Sequence, residues 1–188
     1  LAIGIAAVLL LSSVPAHAEW IRREESIMGT RCAVELWSLD RTKGEASITA
    51  VFEEFRRVDR LMSTYKPESE LSRVNAGAAR APVRVSRELY DLLATSTEYS
   101  KLTRGAFDIT YASVGHLYDY RAGVHPDDAS IAKALPGVNW RHLQLLPKYT
   151  AVRFSRPGMR VDLGGIGKGH AVDRGIAVLR QRGVDRAM

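Results

Sequence analysis

Between residues 162 and 169 the sequence reads Asp162-Leu163-Gly164-Gly165-Ile166-Gly167-Lys168-Gly169, one carboxylate and one ammonium spaced by glycines. Glycines let backbone N–H groups approach an anion closely, and a helix starting at Gly167 would add its own unpaired donors. Lys168 brings a mobile positive charge, and Asp162 suits a divalent cation that bridges to phosphate oxygens. The chemistry is that of phosphate plus metal. The stretch is not a Walker loop, because the first glycine of that pattern would fall at Asp162 and Gly169 follows Lys168 where Ser or Thr belongs. It is not a dinucleotide fingerprint either, since His170 stands in place of the third small residue. The same residues would also make a tight structural turn.

Two further segments carry usable side chains. In Thr103-Arg104-Gly105-Ala106-Phe107-Asp108-Ile109-Thr110, Asp108 could bond to a ring or ribose while Phe107 covers an apolar face. A helix cap followed by a strand start explains the same residues. From Met62 to Asn75 a polar loop holds one aromatic, Tyr65, which could stack on a heterocycle or stand on a surface turn. There is no His-Glu-x-x-His helix and no Gly-x-Ser-x-Gly elbow. His116, His125, His142 and His170 are scattered and read as structural.

Positioning these segments requires a scaffold, and its elements are legible in the hydrophobic periodicity. Cys32, Val34 and Leu36 alternate with polar neighbours over residues 30–37, the period of a half-buried strand, with Cys32 read as buried. Ile48, Val51, Phe52, Phe55, Val58, Leu61 and Met62 recur at helical spacing and predict a helix ending near Ser63. A strand at residues 83–85 leads to Ser86 as N-cap of a helix carrying Leu89, Leu92, Leu93 and Leu102, with Gly105 as its stop. A short helix is expected over residues 127–135, and strands over 143–146, 151–154 and 159–163. A last helix, residues 167–182, should bury Val172, Ile176 and Leu179 and end at Gly183. Strands and helices mix without strict alternation, which predicts α+β around a mixed β-sheet flanked by helices.

Composition bounds the setting. The apolar run from Leu1 to Leu11 and the Ala16-His17-Ala18 sequence before Glu19 form the h-region and cleavage site of a signal peptide over residues 1–18. The run is too short to span a bilayer. The expected product is exported, to the periplasm or cell envelope. The sequence starts without Met or a basic n-region and stops where Val184 to Ala187 should enter a strand, so both ends read as cut. Residues 19–188 suffice for one domain. The net charge is +6 with both signs interspersed, and no nucleic-acid module is present. A single cysteine, Cys32, forbids an intrachain disulfide, and its place well after the cleavage site is wrong for a lipid-modified one.

Taken in order, Met28-Gly29-Thr30, Met62 to Asn75, Gly105 to Thr110 and Val161 to Asp173 resemble the ApbE family of exported FAD:protein FMN transferases. The match covers nearly all of residues 19–188 and the N-terminal part of the family's domain. The resemblance implies an enzyme that takes FAD and Mg2+ and transfers the FMN moiety to a Thr hydroxyl of an acceptor flavoprotein, releasing AMP. By residue match it implies that Met28, Tyr65, Ala106, Phe107, Asp108, Asp162 and Lys168 contact FAD. Gly165 would offer its carbonyl to the metal, and the family's Asp and Thr metal ligands would fall beyond residue 188. Gly167 and His170 depart from the usual Ala and Tyr, and Tyr111 to Gly115 lack the common Pro. The implied partner is an acceptor flavoprotein of a respiratory electron-transfer complex, which leaves peripheral membrane association open. Hydrolysis of FAD to FMN and AMP, and non-catalytic FAD binding in assembly of such a complex, are the alternatives.

Overall fold

The computed structural model describes residues 18–119 and 122–188. The expected leader, apart from Ala18, lies outside the described residues. Two antiparallel strands come first, β1 (Glu19–Ile27) and β2 (Thr30–Ser38), paired from Glu19 with Ser38 to Ile27 with Thr30. Alternation in the sequence marks β2 but not β1. The inward face of β1 carries Ile21, Arg23, Glu25 and Ile27, and its two central charges break the apolar pattern. Those charges are satisfied in place: Arg23 bonds Glu25 at 2.9 Å, and Arg56 of the following helix bonds Glu25 from above. The connecting turn has Met28 at φ 56° and Gly29 at φ 70°. Two successive left-handed residues are the signature of a type I′ hairpin.

Helix α1 (Arg41–Met62) starts at Asp40, whose side chain accepts from Lys43 N–H, and ends at Ser63 as its periodicity predicts. It buries Ile48, Val51, Phe52, Phe55, Val58 and Met62. The polar stretch that follows is shorter than the sequence suggests. Helix α2 (Glu70–Gly77) begins after Ser69, whose hydroxyl accepts from Ser72 N–H, so only residues 63–69 form the loop. Strand β3 (Val83–Arg84) precedes α3 (Arg87–Leu102), capped by Ser86 as expected. Arg104, at φ 56°, takes the left-handed position that ends α3. Gly105 N–H closes the turn on Ser100 O at 2.8 Å. Leu102 is solvent-exposed instead of buried, because the inward face of α3 continues through Ser96 and Ser100.

A 3-10 turn at Ile109–Tyr111, in place of a strand start, leads into the single turn of α4 (Ala112–Gly115). Next come α5 (Asp128–Ala134), β4 (Leu143–Leu146), β5 (Ala151–Phe154) and α6 (Gly167–Gln181). The second sheet has the order β3-β5-β4, again antiparallel. The α+β class holds, but the described strands form two antiparallel sheets and not one mixed sheet.

Helix α6 corrects a second expectation. Its buried face is Gly167, Ala171, Gly175 and Leu179, a stripe of mostly small residues that lets α6 lie close on α1. A Cβ on Gly175 would stand 2.9 Å from Phe55 Cε1 and 3.0 Å from Val51 Cγ1. Val172 and Ile176, which the periodicity selects, are 51% and 41% exposed, each one residue round the helix from the face the fold buries, while Leu179 is buried as expected. Gly183, at φ 72°, ends α6 as expected. There Val184 N–H bonds Leu179 O at 3.0 Å. The chain then pairs with β2: Trp37 N–H donates to Arg186 O at 3.0 Å and Met188 N–H to Glu35 O at 2.7 Å. Among the described residues no helix is long and apolar enough to cross a membrane.

Candidate functional site

The stretch from Met159 to Leu163 shows how the site is held. Met159, Val161 and Leu163 are buried and alternate with half-buried Arg160 and Asp162, yet no strand forms there. Its polar groups are bonded mainly to side chains instead of to a ladder. Asn75 of α2 accepts from Val161 N–H at 2.8 Å and donates to Val161 O at 2.9 Å, copying the two bonds a neighbouring strand would make. Ser113 accepts from Arg160 N–H at 3.0 Å, and Asp162 N–H reaches Ile109 O at 3.0 Å. Asp162 is therefore fixed from both sides.

Its carboxylate gathers three donors. Oδ1 accepts from Gly164 N–H at 2.6 Å and Tyr111 O–H at 3.1 Å, and Oδ2 accepts from Thr64 O–H at 3.0 Å. These bonds join the end of α1, the 3-10 turn and the glycine turn across 98 residues of sequence. Above them lies a cleft of about 530 Å³, lined by Met28, Gly29, Met62 to Lys66, Tyr111, Asp162 to Gly164 and Lys168 among others. Lys168 is exposed, its ammonium 3.3 Å from Gly164 O, and among the described residues no ion pair involves it. Lys66 at the rim pairs with Asp59 at 2.9 Å. No side chain caps the N-terminus of α6 at Ile166, and Gly167 N–H, the first donor of the helix, is taken by Leu163 O at 2.6 Å.

Of the residues expected to bind, Met28, Tyr65, Asp162 and Lys168 come together on this cleft. Tyr65 projects from the loop, 90% exposed. The other segment forms an adjacent wall. A Cβ added to Gly165 would lie 3.2 Å from the Phe107 ring, which also meets Tyr99 edge-on at 6.3 Å. Ala106 is exposed beside it. Asp108 is drawn into the wall: Oδ1 accepts from Thr110 N–H and O–H at 2.9 and 2.6 Å, and Oδ2 from Trp140 N–H at 2.9 Å. Tyr111, Thr64 and Asn75 also build the site, and the sequence does not single them out. A hydroxyl or amide whose partner lies far along the chain leaves no local signal.

The first turn of α6 is braced from behind. His170 Nε2 lies 2.8 Å from Glu88 Oε1, Arg57 bridges Glu88 and Glu54 with bonds of 2.8 Å, and Arg174 reaches Glu54 at 2.9 Å. The hydrogen bond from Arg57, with Arg174 assisting, holds the Glu54 carboxyl down at about 2. Glu88 is lowered for the same reason, by Arg57 first and His170 next. Burial pushes the Cys32 thiol up, with a backbone hydrogen bond at Ile27 and the Lys168 charge opposing. Cys32 is half-buried, not buried, and its Sγ lies 3.7 Å from Ile27 O. The other histidines have structural neighbours as expected, His116 against Ala112 O and His142 against Ser155. Among the described residues no three His, Cys, Asp or Glu side chains come together to hold a metal.

The scaffold is of the α+β class, and its cleft sets an exposed ammonium, an uncapped helix start and two tyrosines around a carboxylate hub, groups whose chemistry suits phosphate and ring contacts. The ApbE family model matches residues 28–188, and the chain belongs to the ApbE family. A FAD:protein FMN transferase of Klebsiella pneumoniae is 31% identical over 166 residues, which are 86% of this chain and 51% of that protein. The FAD:protein FMN transferase of Treponema pallidum is 30% identical over 176 residues, 88% and 48% of the respective chains. Among solved structures, the flavin transferase ApbE from Vibrio cholerae superposes with a TM-score of 0.81 at 26% identity, covering 92% of this chain and 57% of that one. The ApbE protein from Thermotoga maritima gives 0.78 at 24% identity over 87% and 53%, a likeness of fold. The chain spans about half the length of the curated relatives it matches.

Proposed function

We propose that the protein transfers the FMN moiety of FAD to a Thr hydroxyl of an acceptor flavoprotein, with release of AMP. The observation that carries this is the convergence of Met28, Tyr65, Asp162 and Lys168, from separate segments, on one cleft. In this reading Lys168 and the start of α6 take the pyrophosphate, where their charge offsets that of the phosphates. Tyr65 and Phe107 flank rings, and the Asp162 hub holds the glycine turn against Thr64 and Tyr111. The threonine oxygen bonds to the FMN phosphorus in line with the departing bridge oxygen, AMP leaves with that oxygen, and the hydroxyl proton is released.

The proposed Mg2+ would supply charge at the transferring phosphoryl group. The described residues do not make its site by themselves. Gly165 offers a carbonyl, while both Asp162 oxygens already accept hydrogen bonds. The proposed setting is the cell envelope, and the proposed acceptor belongs to a respiratory electron-transfer complex.

Full-length protein incubated with FAD, Mg2+ and an acceptor domain should leave covalent flavin fluorescence on the denatured acceptor and release AMP. AMP with an unlabelled acceptor would replace transfer by FAD hydrolysis. Retained FAD without AMP would leave a binding protein.

A further inference from the structure

A second basic surface, apart from the cleft, is the outer side of the β3-β5-β4 sheet. Between Glu70 and Glu88, and again between Asp128 and Asp162, the chain contains no acidic residue, while both stretches are rich in Arg and Lys. The fold brings these two stretches together. Val83 pairs with Val152 and Arg84 with Ala151, so Arg84 and Arg153 stand on the same side of the sheet, with the apolar Val83 and Val152 turned to the core. Phe154 N–H bonds Ala78 O at 2.9 Å, which lays the turn carrying Arg80 beside the end of β5. Val85 N–H bonds Thr150 O at 3.0 Å, which sets the β4–β5 tip, with Lys148 and Tyr149, next to Arg84.

Arg80, Arg84, Lys148 and Arg153 are all exposed, and among the described residues none of them forms an ion pair. The carboxylate nearest in the hydrogen-bond pattern, Glu70, is occupied by Ser86 N–H at 2.7 Å and by Arg73 at 3.7 Å. Across β1, β2 and α1, by contrast, basic and acidic side chains are paired. Tyr149 at the tip is 55% exposed, an amphipathic ring beside Lys148.

We propose that this face docks on an anionic phospholipid surface. Specific protein interfaces are organised around a buried apolar or aromatic centre with charges at the rim. Here the centre is cationic and the one aromatic is at the edge, an arrangement suited to a continuous negative surface with Tyr149 at headgroup level. None of the four basic residues lines the cleft, so docking would leave the cleft open.

The test is co-sedimentation of the protein from Glu19 onward, without the apolar run of residues 1–18, with vesicles of phosphatidylcholine alone and of phosphatidylcholine mixed with phosphatidylglycerol. A basic residue at such a surface is worth about a fivefold gain in affinity. The double change Arg84→Glu and Arg153→Glu should therefore lower binding to the mixed vesicles at least ~25-fold, and Arg84→Gln with Arg153→Gln by roughly that factor. Added salt should weaken the wild-type interaction, while cleft binding of FAD stays unchanged in both variants. Equal binding to the two vesicle types, or mixed-vesicle binding untouched by charge reversal in a folded variant, overturns the proposal. Tighter binding to polyglutamate than to mixed vesicles overturns it in favour of an acidic protein partner.

Discussion

Replacing Asn75 with Ala should unfasten the candidate site without touching the cleft. Asn75 makes two bonds to Val161, at 2.8 and 2.9 Å, across 86 residues of sequence, and Val161 is fully buried. Truncation leaves one N–H and one C=O without partners in a place water does not reach. Each such group costs about 1–3 kcal/mol, so the loss should be about 2–6 kcal/mol. For a chain of this size that corresponds to a fall in Tm of roughly 4–24 °C. Because Asp162 is the next residue, its bonds to Thr64, Tyr111 and Gly164 should loosen together, and FAD affinity should fall with stability. Asn75→Asp is the informative control: it keeps the acceptor for Val161 N–H but turns the other atom into an oxygen facing Val161 O, and should not rescue. Thermal unfolding and urea titration read the stability, and flavin fluorescence reads the affinity. A Tm within about 2 °C of wild type for Asn75→Ala would refute the claim that side chains replace a strand partner here.

Lys168→Ala should weaken FAD binding by about 1–3 kcal/mol, the scale of a charge-assisted bond, in a flavin fluorescence titration of the full-length protein. Glu54, lowered from its ordinary value of 4.5 to about 2, contributes stability that is fully present above pH 4.5 and is lost as pH falls toward 2. Urea midpoints should thus hold steady from about pH 7 to about pH 5 and then decline, and Glu54→Gln should flatten that decline. Gly175→Val should drive a side chain into Phe55 and Val51 and destabilise by about 1–3 kcal/mol, seen as a lower urea midpoint with the slope unchanged.

Much of the scaffold is legible because burial and periodicity coincide in it: α1, α3 through Leu93, β2, β4 and β5 follow from spacing alone. The misses have separate causes. β1 hides behind the charged pair Arg23 and Glu25, whose ion pairs the sequence does not announce. In α6 small residues pack inward, so the apolar Val172 and Ile176 point to the wrong face. The segment at residues 159–163 has a strand's alternation without a strand's neighbour, because Asn75 stands in for one. At the site, the glycine turn and Lys168 are local in sequence and announce themselves on chemical grounds. The hub around Asp162 is assembled from donors of other segments and becomes visible only in three dimensions.

The β1–β2 turn carries a lesson for anyone who would engineer this protein. Met28 sits at φ 56° and its side chain lines the cleft. That backbone conformation is one that Asn or Gly adopts more readily. A stabilisation campaign guided by turn preferences would exchange this methionine early and gain rigidity in the hairpin. It would also strip one wall from the cleft. The position belongs on the list of residues held fixed, since what is poor for the turn is what the cleft retains.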